Sequence, residues 1–262
     1  MITVGEKLNS SIPSVLSLFN SGDDNAVREA ATAQGAADYL DINTAMCDQE
    51  LTMLRRIVSL ALQSTTCGIM LDSPSPDVIL GALDSCADRP VIINSVAEGE
   101  RLEKLAPEVS SRGCGVIVMP VQASGCGTPS QRLSTAHRIV DRLVQCGVAP
   151  EKIFVDALAE AAAFDPGNAT ATLETLTLLK KELPQVGTAL GVSNISFGLP
   201  ARAVVNSAFL ACAVCAGLDL AIIDVTSQRV TETLMASLIL AGKDEYGIGY
   251  IEHIRARDDR RG

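Results

Sequence analysis

The chain has 262 residues, 47% of them hydrophobic, with only 3% aromatic and no tryptophan. That length suits one α/β barrel, and a core limited to Ala, Val, Ile and Leu suits parallel strands covered by helices. A formal charge of −10 argues against nucleic acid or an anionic membrane as partner, because either would be repelled.

Short apolar runs, each closed by a polar residue, predict strands over residues 2–5, 39–42, 68–71, 91–93, 115–119, 153–155, 188–190 and 220–223. Amphipathic stretches between them predict helices over 25–37, 49–63, 76–87, 98–111, 130–146 and 169–183. Asp23 and Asp24 are placed to cap the first of these, Asp48 the second, and Ser75 with Pro76 the third; Gly147 ends the fifth. After the turn containing Asn194, Pro200 is placed to start another helix. Its apolar stretch, 203–217, is richer in hydrophobic residues than an outward-facing helix requires. That suggests a homodimer surface, with close packing on the strands as the alternative. Strand alternating with helix in this way predicts an α/β fold, a single-domain (β/α)8 TIM barrel spanning residues 1–262. A doubly wound open sheet would alternate similarly, but the chain carries no dinucleotide fingerprint. Residues 256–262, of mixed charge, are expected to fray.

The first residues, MITVGEKLN, are unlike a signal peptide, and Asn206, Ser207, Gly217 and Asp219 interrupt the most apolar later stretch, which falls short of a membrane span. A cytoplasmic protein is expected. Eight cysteines are scattered through it. Cys212 and Cys215 form a C-x-x-C without a second pair or a nearby His, so buried thiols are expected there, as at Cys67, Cys114 and Cys146, rather than zinc. The two histidines, His137 and His253, fall on polar stretches away from strand ends and are expected at the surface. Serine-hydrolase, catalytic-zinc and Walker-type chemistries find no support, and no tightly bound metal is expected.

Function in such barrels collects at the C-terminal strand ends. Here those positions carry Glu6, Lys7 and Asn9; Asp41 and Asn43; Asp72 and Ser73; Asn94 and Ser95; Asp156; Gly191, Ser193 and Asn194; and Asp224. Met119 closes the fifth run, and a small-residue loop over 124–128 follows it, read either as a lid or as an ordinary exposed loop. A ring of carboxylates and amides suits an uncharged heterocycle that both donates and accepts hydrogen bonds, and a pterin, with its amino-amidine edge, is one. Any single member, such as Asp41 or Asp224, can equally serve as a helix cap or an ion-pair partner.

The segments VGEKLN, YLDINTA, MLDS, IINS, FVDAL and GVSNIS, in this order and spacing, resemble the pterin-binding methyltransferases: the methyltetrahydrofolate:corrinoid/iron–sulfur protein methyltransferases and the methylcobalamin:tetrahydrofolate enzymes. The resemblance covers nearly the whole chain. It implies pterin contacts from Asp72, Asn94, Asp156, Gly191, Ser193 and Asn194, catalytic roles for Asn194 (facing N5) and Asp72, and an Arg202 serving the folate's anionic tail or loop closure. Glu6, Asp41, Asn43, Met119, Phe197 and Asp224 are further lining candidates. It implies tetrahydrofolate or 5-methyltetrahydrofolate as substrate, and a corrinoid (cobalamin) carried on a separate protein, since the D-x-H-x-x-G pattern of corrinoid-binding domains is missing from the chain. Phe197 stands where related acetogen enzymes carry a Gln. Two other functions fit the same pocket: a dihydropteroate synthase-like enzyme, disfavoured because Arg202 and Arg229 are the only basic residues between Asn194 and Lys243, and a non-catalytic pterin carrier or corrinoid-protein scaffold.

Overall fold

The computed structural model describes residues 1–122 and 125–259, with nothing drawn from the side chain of Asp259. Eight parallel strands close into a barrel in sequence order: β1 (Ile2–Asn9), β2 (Tyr39–Asn43), β3 (Gly68–Asp72), β4 (Val91–Val96), β5 (Gly115–Val118), β6 (Ile153–Asp156), β7 (Gly187–Gly191) and β8 (Leu220–Ile223). The β1–β8 pairing, Ile2 with Leu220 through Gly5 with Ile223, closes the ring. The helices are α1 (Pro13–Ser21), α2 (Asp24–Thr32), α3 (Glu50–Ser64), α4 (Pro76–Leu83), α5 (Glu100–Arg112), α6 (Pro129–Gln145), α7 (Asn168–Glu182), α8 (Arg202–Cys215), α9 (Gln228–Leu240) and α10 (Ile248–Asp259). The expected (β/α)8 barrel is the fold.

Two apolar layers hold it. Inside the ring, Val4, Met70, Ile92, Ile117, Phe154, Ala189, Leu220 and Ile222 meet in one buried cluster. Outside it, Leu, Ile and Val of the opposite strand faces pack on the helices, as at Leu40, Leu71, Ile93 and Val155 against Leu54, Ile79, Leu105 and Ile139. Strands buried on both faces need no polar alternation until they reach the mouth, so they read as continuous apolar runs.

Several local expectations change. β1 continues to Asn9 instead of stopping at Gly5, because a register shift against β2 between Gly5 and Leu8 lets Leu8 bury while the strand goes on. Asp23 caps α2 by accepting from Asn25 and Ala26 N–H, and Ser75 caps α4. Asp24 is inside the first turn of α2, and Asp48 caps nothing: Gln49 is the N-cap of α3, without a side-chain bond. Pro200 does not open α8, which starts at Arg202 after Ala201 in a left-handed conformation (φ 49°). Cys212 and Cys215 are exposed rather than buried, because they fall on the outer face of α8 while Ala213 and Val214 turn inward. His137 and His253 lie at the surface, each partly exposed. The tail expected to fray continues α10 as far as Asp259; the rest of it lies outside the described residues, as does Ser124 of the loop after β5. Among the described residues no helix is long and apolar enough to cross a membrane.

Candidate functional site

The apolar cluster inside the barrel ends one layer below the mouth, and the alternation of strand side chains places the next inward residue directly above it. Val4 is followed by Glu6, Met70 by Asp72, Ile92 by Asn94, Phe154 by Asp156, Ala189 by Gly191 and Ile222 by Asp224. Five of these six inward positions are polar, and the sixth is Gly191. These groups line a cavity of about 650 Å³, together with Lys7, Asn9, Asp41, Ser193, Asn194, Phe197, Arg202 and Asn206. A volume of that order holds a small organic ligand.

Burial dominates the electrostatics. Asp41, only 3% exposed, has its carboxyl pushed well above the usual range, first by burial and then by the charge of Asp72, with the Asn94 amide opposing at 3.5 Å. Asp72 is also raised by burial, opposed by the Asn43 amide, which donates to its Oδ2 over 2.9 Å, and by Arg101. Burial raises Asp156 to about 6 against the Leu158 N–H, which donates to its Oδ1 over 2.8 Å, and against Arg132. Asp224 goes the other way. Burial pushes it up, but the Thr226 hydroxyl, at 2.6 Å, and the Lys7 ammonium, at 2.9 Å, outweigh that and hold it ionised. Glu6 is raised by burial, opposed by Ser193, whose hydroxyl donates to its Oε2 over 2.8 Å.

Two arginines brace the loops that carry these acids. Arg132 of α6 is 2% exposed and donates to the carbonyls of Ala157 (2.8 Å), Leu158 (2.9 Å), Cys126 (3.3 Å) and Gly127 (3.2 Å), and to Glu160 (3.0 Å). It ties the loop after β5 to the loop after β6 and fixes Leu158, whose N–H holds Asp156. Arg101 of α5 does the same for the ends of β3 and β4, donating to the carbonyls of Ser73 (2.6 Å), Pro74 and Ser95. A guanidinium suits this task because its planar fork satisfies several carbonyls at once and keeps its charge when buried.

The turn after β7 is a single 3-10 segment, Val192–Ser196. Asn194 is exposed at its centre, and Arg202 secures the turn by donating to the Ser193 carbonyl (2.8 Å) and the Ser196 hydroxyl (3.0 Å). A Cβ at Gly191 would lie 3.1 Å from Asn194 Nδ2, so the glycine leaves room for that amide.

Of the residues singled out from sequence, Glu6, Asp41, Asp72, Asn94, Asp156, Gly191, Ser193, Asn194, Phe197, Arg202 and Asp224 come together around the one cavity. Asn43 and Met119 are not among its lining residues. Asn43 is spent on Asp72 and on the Ser10 hydroxyl, and Met119 lies beyond the end of β5, which stops at Val118. The braces Arg101 and Arg132 and the lining Asn206, whose Oδ1 is buried without a partner, were not anticipated. Neither histidine lines the cavity, and among the described residues no three His, Cys, Asp or Glu are grouped to hold a metal.

A closed parallel barrel with a polar pocket at its C-terminal mouth defines a small-molecule site of the TIM-barrel kind. Residues 16–224 match the family described as "Pterin binding enzyme", and the chain belongs to that family. The methylcorrinoid:tetrahydrofolate methyltransferase of Eubacterium limosum is 26% identical to it over 251 residues, covering 93% of this chain and 92% of that protein. The methionine synthase of Mycobacterium tuberculosis is 33% identical over 184 residues; the match takes in 65% of this chain but only 15% of that longer protein. A dihydropteroate synthase of Coxiella burnetii, solved with pteroic acid, superposes with a TM-score of 0.68 at 18% identity, covering 92% of this chain and 93% of that one. The dihydropteroate synthase of Xanthomonas albilineans, solved with 7,8-dihydropteroate, gives 0.68 at 17%, covering 91% and 93%. At such identities these two structures speak for the shared fold.

Proposed function

We propose that the protein is a methyltransferase that moves a methyl group between N5 of tetrahydrofolate and the cobalt of a corrinoid carried on a separate protein. One observation carries this reading: the near end-to-end similarity to the Eubacterium limosum methyltransferase, with both chains covered above nine-tenths. The polar mouth supports it. Asp156 accepts from the amino-amide edge of the pterin, Asp72 and Asn94 pair with the donors and acceptors further round the ring, and Asn194 opposes N5. As an amide it donates to a lone pair in one direction of transfer and accepts from an N–H in the other. It acts by meeting the charge that changes at N5 as the methyl group leaves or arrives.

The bound corrinoid supplies the metal centre that gives or takes the methyl group. Its approach is supported by the rim. Phe197 and Phe164 are 57% and 77% exposed, their ring centroids 6.2 Å apart, beside the exposed Asn194 turn. Two bare aromatic rings at the mouth suit a protein partner that covers the site. Phe197 thus contributes apolar surface where an amide stands in related enzymes. A second copy of the chain is the other proposed partner. The outer faces of α8, α9 and α10 expose Val204, Cys212, Cys215, Leu240, Ile248 and Ile251, a run of apolar groups that suits a homodimer. A cytoplasmic setting fits the free state of all eight cysteines.

A pterin-condensing reaction of the dihydropteroate synthase kind is the weaker reading, because an anionic leaving group needs uncommitted cations. Of the lining residues only Lys7 and Arg202 are basic, and both are engaged, Lys7 by Asp224 and Arg202 by the turn after β7. The test is spectroscopic. Purified protein mixed with cob(I)alamin and 5-methyltetrahydrofolate converts the cobalt spectrum to that of methylcobalamin, or the reverse pair reacts. Tight folate binding with no spectral change in either direction favours a carrier or scaffold instead.

A further inference from the structure

Methyl transfer at N5 needs a proton there: N5 is a poor leaving group unless protonated, and in the opposite direction it must shed its proton. We propose that the Glu6 carboxyl, acting through the Ser193 hydroxyl, is the acid that protonates N5 as the methyl group leaves and the base that takes that proton back as one arrives. The inference rests on the methyl-transfer reading above and assigns a catalytic role within the same site.

The geometry singles Glu6 out among the acids of the mouth. Asp156 is held by the Leu158 N–H, and Asp72 by Asn43; both are given over to gripping the ring. Asp41 lies deep in the cavity wall at 3% exposure and accepts from the Asn94 amide. Asp224 is paired with Lys7 and Thr226 and stays ionised. Glu6 projects inward from β1 above Val4, faces the cavity, and makes its side-chain contact at 2.8 Å with Ser193, the residue immediately before Asn194. Ser193 lines the cavity as well, and its hydroxyl joins the Glu6 carboxyl to the turn that carries Asn194. A hydroxyl both donates and accepts, as a relay requires. The charged groups facing Glu6 are Lys7 of its own strand, Asp224 after β8, Arg202 of α8 and Asp41 of β2. Burial outweighs the two cations and raises the carboxyl above its usual range, which keeps it protonated nearer to neutral pH.

The balance is as follows. The C–N bond at N5 breaks with its electron pair staying on nitrogen, and the methyl group passes to a two-electron metal nucleophile on the corrinoid. The O–H bond of Glu6 breaks, its proton goes to the Ser193 oxygen, and the proton already on Ser193 goes to N5, forming N–H. Glu6 is left a carboxylate that accepts from the Ser193 hydroxyl, across the same 2.8 Å contact. Transfer to tetrahydrofolate runs the same steps backwards.

Single-turnover transfer is measured with cob(I)alamin and 5-methyltetrahydrofolate, and with methylcobalamin and tetrahydrofolate, across pH. Folate affinity is measured alongside by calorimetry. Glu6→Gln is expected to slow both directions by about 100-fold or more, the usual contribution of general acid–base catalysis, with the folate Kd within about threefold of wild type. In the demethylation direction the gap narrows as pH falls, because solvent then protonates N5 directly. A rate within about threefold of wild type at all pH values overturns the proposal. If Glu6→Gln loses folate binding, Ser193→Ala decides, since it keeps the acid and cuts the route: a drop of about tenfold at unchanged affinity supports the relay, and a wild-type rate overturns it. Wild-type protein that binds folate and moves no methyl group in either direction sinks the methyl-transfer reading, and this proposal with it, whereas a wild-type rate that Glu6→Gln retains sinks the proposal alone.

Discussion

The two sides of the barrel mouth are built differently. On the β3–β6 side the carboxylates are half-buried, and arginines from behind stitch consecutive loops together, Arg101 across the ends of β3 and β4 and Arg132 across those of β5 and β6. On the β7 side Asn194, Phe197 and Arg202 are exposed, and one turn of 3-10 helix carries the amide. A wall that recognises a flat polar ring gains from fixed, desolvated partners, because each buried group must be matched. A rim that meets a second macromolecule must stay open. The contrast divides the proposed labour: grip on one side, reaction and docking on the other.

Substitutions on the two sides should therefore fail in different ways. The largest effect is expected at Asn194→Ala, which should lower the methyl-transfer rate by about 10²–10³-fold, the range for losing one preorganised donor, while folate affinity in a calorimeter changes only a few-fold. On the buried wall, Arg132→Met should lower unfolding free energy by about 2–4 kcal/mol in chemical denaturation, since it strands several inward carbonyls, and should weaken folate binding as Asp156 loses its support. Arg132→Lys should recover only part of either.

A smaller effect comes from pH. Burial raises Asp156 to about 6 in the free protein, and in the proposed complex only its ionised form would accept two hydrogen bonds from the pterin edge. Folate affinity should fall by up to about tenfold per pH unit below that point, and Asp156→Asn should flatten the profile at a weaker level. The linkage to stability has the opposite sign. The folded pKa lies above the ordinary value of 3.8, so the stability this group contributes is full below pH 4 and is lost as pH rises to about 6. The unliganded protein should therefore lose stability from this group across the interval in which ligand binding improves, and Asp156→Asn should remove that slope from a melting series. At the rim, Phe164→Ser should raise the KM for a protein-borne corrinoid by about tenfold, in line with the loss of an aromatic anchor, and leave the reaction with free cobalamin unchanged, since Phe164 is not among the cavity's lining residues. The smallest effect is expected on the outer helices: Cys212→Ser with Cys215→Ser should shift stability by less than about 0.5 kcal/mol, as solvent-facing changes do.

Much of the barrel could be read from the chain, because strands buried on both faces leave unbroken apolar runs and the first polar residue after each run marks the mouth. Asp72, Asn94, Asp156 and Asp224 follow directly from that alternation. It fails where the strand end itself is misplaced. Met119 lies beyond the last residue of β5, where alternation no longer sets its direction. Asn43 faces the mouth in sequence but is consumed by its neighbour Asp72, a pairing only the β2–β3 register reveals. The braces are invisible for another reason. Arg132 near the start of a helix reads as solvent-exposed, and its burial depends on the loop before that helix and the loop after β6 folding over it. A usable signal existed at its position, since Leu133, Ala136, Ile139, Val140 and Leu143 form the inward stripe of α6 and Arg132 sits beside that stripe.

A structure determined with 5-methyltetrahydrofolate bound is the most direct trial of the division between grip and reaction. The pterin amino-amide edge should rest on Asp156, with Asp72 and Asn94 within hydrogen-bond distance of the ring and N5 presented to Asn194 under the open rim. A ring lying elsewhere, or seated with N5 turned towards the buried β3–β6 wall, would contradict the account.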